Sequence, residues 1–180
     1  MRRKETMPDF VFRLMAFSFK IMDLFSSPVS ILDNLEIKAG DTVIDYGCGP
    51  GRYIKKASQL VGKDGVVHGV DLHHLAVATV LKLVRKENLN NVNAVQAYDY
   101  SVALPDQVAD IIYAFDMFHM VEEPGKFLQE LYRLLKHEGY LYLEPGHQSY
   151  ALAKEKILTS GLWIILVETR YFKCTPKTVT

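Results

Sequence analysis

Two hydrophobic periods alternate along this chain. Thr42 to Tyr46 (TVIDY) is a short, largely apolar run that stops at a glycine cluster, the pattern of a parallel strand buried on both faces. Val66 to Leu72, Val92 to Ala97, Asp110 to Phe115 and Leu141 to Glu144 read the same way. Between them, Ile54 to Val61, Leu75 to Glu87 and the segment opening at Pro124 carry apolar residues at helical spacing. The Leu75 helix collects Lys82, Arg85 and Lys86 toward its end, where the helix dipole favours cations. The Pro124 helix is expected to run up to Gly139, with proline near its start and glycine just past its end. Ala151 to Ser160 predicts a further helix, and two strand-like runs around Glu168 to Arg170 predict a closing hairpin. Strands alternating with helices predict an α/β domain with an open, mostly parallel sheet covered on both faces.

The amino-terminal end breaks this rhythm. From Phe10 to Phe25 the apolar residues surround most of a helix, leaving a narrow polar stripe of Arg13, Lys20 and Asp23. After Pro28, VSILDNLEI predicts a short second helix and KAGD a turn. Residues 1–27 therefore separate as a helical extension or lid from a domain spanning 28–180. The extension has three readings: packing on the domain or on a second copy as a homodimer, covering a pocket, and, least favoured because its basic residues are few, touching a membrane surface. Arg13, Lys20 and Asp23 interrupt the apolar stretch, so no transmembrane segment or export signal is expected and the location is read as cytoplasmic.

Composition narrows the partners. The 180 residues carry 21 Lys+Arg against 21 Asp+Glu, are 49% hydrophobic and have a pI near 7.0. A chain of this length buries roughly 70% of its unfolded surface, so its core needs no disulfide or structural metal. Zero net charge argues against nucleic acid as the main partner and leaves a small molecule. Cys48 and Cys174 are far apart and belong to no CxxC pair, so no metal site is expected.

The candidate chemistry starts at Val43-Ile44-Asp45-Tyr46-Gly47-Cys48-Gly49-Pro50-Gly51-Arg52, a strand running through a glycine-rich turn into a helix. In an open parallel sheet a ligand sits beyond the carboxyl ends of the strands, and glycines let the backbone approach it. A dinucleotide fingerprint G-x-G-x-x-G needs glycine at 52, where this chain has Arg52. Asp45, two residues before the first glycine, would repel a pyrophosphate but suits a cation. S-adenosylmethionine carries an α-ammonium, a sulfonium and a ribose without any phosphate. Asp71, ending the second strand, can accept from both ribose hydroxyls and cap the helix that follows. Tyr98-Asp99-Tyr100, past the third strand, can accept from an adenine amino group and pack on its ring.

Together, VIDYGCGPGR, GVDL, AYDYSVALP and ADIIYAFDMFHMVEEPGKFLQELYRLLKHEGYLYL resemble a class I S-adenosylmethionine-dependent methyltransferase, similar to the quinone-biosynthesis and arsenite methyltransferases. The resemblance covers residues 28–175. It implies a Rossmann-like seven-stranded sheet of order 3-2-1-4-5-7-6 with the last strand antiparallel, S-adenosylmethionine as cofactor and S-adenosylhomocysteine as product. Position by position it implies Asp45, Gly47, Cys48, Gly49 and Gly51 around the methionine moiety, Asp71 on the ribose and Leu72 beside the adenine. Asp99 and Tyr100 fall at the adenine edge and Phe115 at the methyl-donor end. Tyr46 stands where the family has an aliphatic residue and is expected to point away from the loop. Few residues remain for a substrate cover, so the N-terminal helix, with Tyr53, is expected to supply an apolar acceptor site. Methyl transfer by in-line displacement needs a general base only for a protonated acceptor, and His119 is the candidate, with Glu144 behind it. The acceptor implied is a small hydrophobic or aromatic metabolite. The alternatives are a protein or RNA methyltransferase and a non-catalytic cofactor-binding protein.

Overall fold

The computed structural model describes residues 7–25 and 28–177, and their side chains apart from 20, 23–25 and 28. The basic start at Arg2, Arg3 and Lys4 lies outside the described residues. In chain order the elements are α1 (Asp9–Phe25), a 3-10 helix (Pro28–Asn34), β1 (Thr42–Tyr46), α2 (Ile54–Val61), β2 (Val66–Asp71), α3 (His74–Glu87), β3 (Val92–Gln96) and β4 (Ala109–Ala114). A 3-10 turn (Phe118–Met120), α4 (Pro124–Leu134), β5 (Leu135–Leu143), α5 (Tyr150–Thr159), β6 (Trp163–Glu168) and β7 (Phe172–Pro176) complete it.

Among the described residues, seven strands form one sheet in the order β3-β2-β1-β4-β5-β7-β6. The first five pair in parallel, whereas β7 runs antiparallel to both β5 and β6. This is the expected order, and it puts the carboxyl ends of β1, β2 and β4 side by side. Strand side chains alternate between faces, so each face builds its own core. Ile44, Tyr46, Val70 and Ile112 pack with Phe127, Leu131 and Ile157 on the side of α4 and α5. Val43, Val67, Ile111 and Tyr113 pack with Ile54, Ala57, Val61 and Val80 on the side of α2 and α3.

Two expectations need correction. The segment after Pro28 is a 3-10 helix. Helix α4 stops at Leu134, and Gly139 lies inside β5 instead of capping a helix. A Cβ at Gly139 would sit 2.7 Å from the Asp110 carbonyl oxygen and 2.7 Å from Leu135 Cδ1. Glycine is therefore needed where the backbones close up at the register shift between β4 and β5.

Candidate functional site

The chain leaves β1 through a turn in which Gly47, Gly49 and Gly51 all take positive φ, at 85°, 50° and 83°. Backbone N–H groups of Gly47 and Cys48 both donate to Val70 O, at 2.7 and 3.0 Å, which pins the turn to the end of β2. Gly51 N donates to Cys48 O at 2.9 Å and closes the turn into α2.

Asp71 joins this turn to the next one. Its Oδ2 accepts from Gly49 N at 2.9 Å and its Oδ1 from His73 N at 2.8 Å. Burial raises the Asp71 pKa, opposed by those backbone N–H groups, while the carboxylate still opens onto the cleft. His73 caps α3 by accepting from Leu75 N through Nδ1 at 3.1 Å. Past β3, Ala97 N donates to Asp71 O at 2.9 Å, and Asp99 and Tyr100 both take positive φ. The hydroxyl of Tyr46 donates to the Tyr100 carbonyl, and the hydroxyl of Tyr100 accepts from Glu122 N at 3.2 Å. Tyr46 thus ties the 97–100 loop to β1 and also lines the cleft.

Helix α1 lies along the cleft and packs on His73. Phe12, Met15 and Phe19 face the cleft with Tyr53, Phe115, Met117 and Met120. Phe12 stacks on His73 with ring centroids 4.6 Å apart, and the Arg52 guanidinium sits 4.3 Å from the centre of the Phe19 ring. Asp9, His73 and His74 bring their polar atoms within 4.8 Å of one another. With His73 Nδ1 accepting, the neutral ring carries its proton on Nε2, which donates to Met7 O at 3.0 Å and offers no lone pair to a cation. The cleft encloses about 1240 Å³.

Gly47, Cys48, Gly49, Asp71, Leu72, Asp99, Tyr100 and Phe115 all line this cleft. Asp45 and Gly51 stand behind its wall instead. Asp45 is buried with Oδ2 lacking a hydrogen-bond partner, and burial pushes its carboxyl up to about 8, against the influence of the neighbouring Tyr113 hydroxyl. Gly51 packs toward Val80 and Leu83 of α3, where a Cβ would come within 3.1 Å of Val80 Cγ2. His119 is also off the cleft. It lies under Gly146, meets His147 at 4.7 Å between ring centroids, and burial lowers its pKa. Glu144 accepts from Arg170 Nε at 3.0 Å and from Asp116 N at 3.2 Å, a loop-fixing role. Sequence reasoning missed Arg52 and Met117 as wall residues, and no sequence signal separates them from ordinary loop residues. Phe12, Met15 and Phe19 could not be singled out from sequence either, because the apolar residues of α1 surround most of the helix.

A methyltransferase domain family matches residues 44–143, more than half of the chain. Human arsenite methyltransferase is 29% identical over 130 residues, covering 67% of this chain and 35% of that protein. The ubiquinone/menaquinone biosynthesis C-methyltransferase UbiE of Escherichia coli O1:K1 / APEC is 31% identical over 151 residues, 77% of this chain and 59% of the other. The chain thus spans between about a third and three fifths of the length of these curated relatives. The solved structure of a SAM dependent methyltransferase from Aquifex aeolicus superposes with a TM-score of 0.69 at 28% identity, over 82% of this chain and 87% of that one. A second, from Methanococcus maripaludis, reaches 0.76 at 19% identity over 100% and 98%, which bears on the fold alone. With strand order, glycine turn and family match in agreement, this chain belongs to the class I S-adenosylmethionine-dependent methyltransferases.

Proposed function

We propose that the chain transfers a methyl group from S-adenosylmethionine to a small apolar organic acceptor. The observation that carries this reading is a single cleft lined both by polar groups around Asp71 and by the apolar side chains of Phe12, Phe19, Tyr53, Phe115 and Met120.

The polar lining fits the cofactor. Each Asp71 oxygen accepts one backbone N–H and keeps a lone pair for a ribose hydroxyl. A Cβ at Gly49 would meet nothing within 4 Å, so the turn leaves open space for close approach. Leu72, Asp99 and Tyr100 would hold the adenine, and Gly47, Cys48 and Gly49 the methionine portion. Bound there, the cofactor would supply a methyl carbon on a sulfonium: the acceptor's nucleophilic electron pair would form the new bond, the carbon–sulfur pair would stay on sulfur, and an acceptor that begins protonated would release its proton to solvent. The chain's own residues then have to align the acceptor in line and exclude water. Phe115 is packed against Tyr113 at 5.2 Å and Tyr53 at 5.6 Å between centroids, a rigid apolar wall for that purpose. Helix α1 is the water-excluding cover, acting as a lid.

The acceptor class follows from the apolar part of that lining. Ligand pockets of about 300–1,000 Å³ suffice for one drug-sized molecule, so about 1240 Å³ leaves room for an acceptor beside the cofactor. The relatives are named for arsenite and for quinone biosynthesis. A thiophilic acceptor calls for thiolates. The chain has two cysteines, both buried, and burial holds the Cys48 thiol protonated. The carbon-skeleton acceptor is therefore favoured. A phosphate-bearing macromolecule is disfavoured, because Arg52 is stacked on Phe19 and Lys126 is paired with Glu123 at 3.1 Å and Asp99 at 3.7 Å.

Calorimetric titration tests the reading. S-adenosylhomocysteine should bind one to one, and Asp71→Ala should weaken it by about tenfold or more, the size of a lost charge-assisted hydrogen bond. A wild-type chain that gives no heat with S-adenosylhomocysteine overturns the proposal.

A further inference from the structure

Helix α1 is apolar on two opposite sides. Phe12, Met15 and Phe19 turn to the cleft, while Phe10, Leu14, Phe17 and Ile21 recur every three or four residues on the outer side, exposed by 44% to 71%. A helix face of large apolar side chains left in water marks a contact surface. No helix among the described residues is long and apolar enough to cross a membrane, so the contact is one made lengthwise.

Size argues against a second copy as the occupant. Helix α1 has 17 residues, about 25 Å of helix roughly 10 Å wide, a footprint of about 250 Å². A stable dimer needs about 800 Å² from each partner. A lipid surface sets no such threshold, because it closes around any shape laid on it. Charge within α1 is balanced, with Arg13 and Lys20 against Asp9 and Asp23, and it tips basic only when Arg2, Arg3 and Lys4 are counted with the helix. Arg13 is exposed beside the stripe, the sequence puts Lys20 two turns further on, and Arg2, Arg3 and Lys4 precede the helix. Residues 1–25 hold five Lys/Arg against Glu5, Asp9 and Asp23, in a chain whose totals balance at 21 and 21. Aromatic and aliphatic side chains flanked by basic ones are the chemistry of an interfacial helix.

We propose that α1 docks this chain, outer face down, on an anionic lipid surface. The helix that touches the surface is also the wall of the cleft, so a molecule dissolved in the outer lipid layer meets the cleft along α1. This narrows the acceptor to lipophilic compounds that partition into a bilayer. That narrowing rests on the proposed methyl transfer, whereas the docking does not.

Flotation of the full chain with vesicles tests the docking. The wild type should float with equimolar phosphatidylcholine and phosphatidylglycerol, and less with phosphatidylcholine alone. The triple variant Phe10→Ser, Leu14→Ser, Phe17→Ser should lose at least about tenfold in vesicle binding and still bind S-adenosylhomocysteine, because these positions face away from the cleft. Arg13→Glu should reduce flotation with the anionic vesicles only. A wild type left at the bottom of the gradient with both vesicle types overturns the proposal, as does a triple variant that floats as well as the wild type. So does a concentration-dependent dimer that the triple variant abolishes while neither protein floats. Flotation without any S-adenosylhomocysteine binding would leave the docking standing and remove the methyl-transfer reading.

Discussion

The hydroxyl of Tyr46, at the last position of β1, donates to the backbone carbonyl of Tyr100, between the glycine turn and the 97–100 loop. Both residues are buried, at 1% and 4% exposure, so water cannot take over that bond. Two consecutive non-glycine residues, Asp99 and Tyr100, hold positive φ there and rely on such contacts. Tyr46→Phe keeps the ring against Phe127 and removes only the donor. We expect it to lower stability by about 1–2 kcal/mol in a urea melt and to weaken S-adenosylhomocysteine several-fold. Unchanged affinity would mean that the loop holds its shape without the tyrosine.

Asp45 predicts a pH dependence. Burial raises its carboxyl from 3.8 to about 8, so the folded chain holds the proton more tightly than the unfolded one. The stability linked to that proton is fully present below 3.8 and is lost as the pH rises toward about 8. Asp71, also raised, acts in the same direction. Asp45→Asn cannot titrate, so its stability relative to wild type should increase steadily between pH 5 and 8, in the window set by the Asp45 shift. Urea melts at several pH values that run parallel for the two proteins would refute this.

Gly47 and Gly40 separate backbone strain from loss of the site. Both take positive φ, at 85° and 91°. A Cβ at Gly47 meets Met117 Cγ at 2.8 Å, whereas one at Gly40 meets nothing within 4 Å. Alanine at either should destabilise by about 1–2 kcal/mol. Only Gly47→Ala should also weaken S-adenosylhomocysteine, because it pushes Met117 into the cleft. Equal binding by the two variants would contradict this.

Phe12 is the buried anchor of α1, at 3% exposure. Phe12→Ala should loosen the helix, speed trypsin cleavage at Arg13 and raise the S-adenosylhomocysteine dissociation rate by about tenfold. The urea midpoint of the sheet should barely move. A dissociation rate equal to wild type in stopped-flow would show that α1 is no cover.

The sheet was legible because β1, β2 and β4 are short, largely apolar runs, the pattern of a parallel strand covered on both faces. The place of Asp71 at the cleft was legible as well, since the second strand ends there, but the cap of the following helix is His73 and not Asp71. The boundary between α4 and β5 was not. Leu134 and Leu135 suit either period, and Gly139 reads as a helix stop until Asp110 is seen packed against it. Asp45 and His119 show a second limit. Spacing locates a residue at the end of a strand, but whether its side chain reaches the cleft depends on which face of the sheet it leaves, and Asp45 leaves beneath the turn, beside Tyr113.

The bonds from Gly49 and His73 to one Asp71 carboxylate hold two loops from different strands in place during folding itself. Ordering a residue's backbone carries about 1–2 kcal/mol of entropy, and here that loss falls on the folding step. On the proposed reading an incoming nucleoside would meet a preorganised notch and keep its full affinity. On that reading, a notch of this kind would retain spent product as firmly as fresh cofactor, and the pace of turnover would pass to α1, held by side-chain contacts such as Phe12 on His73.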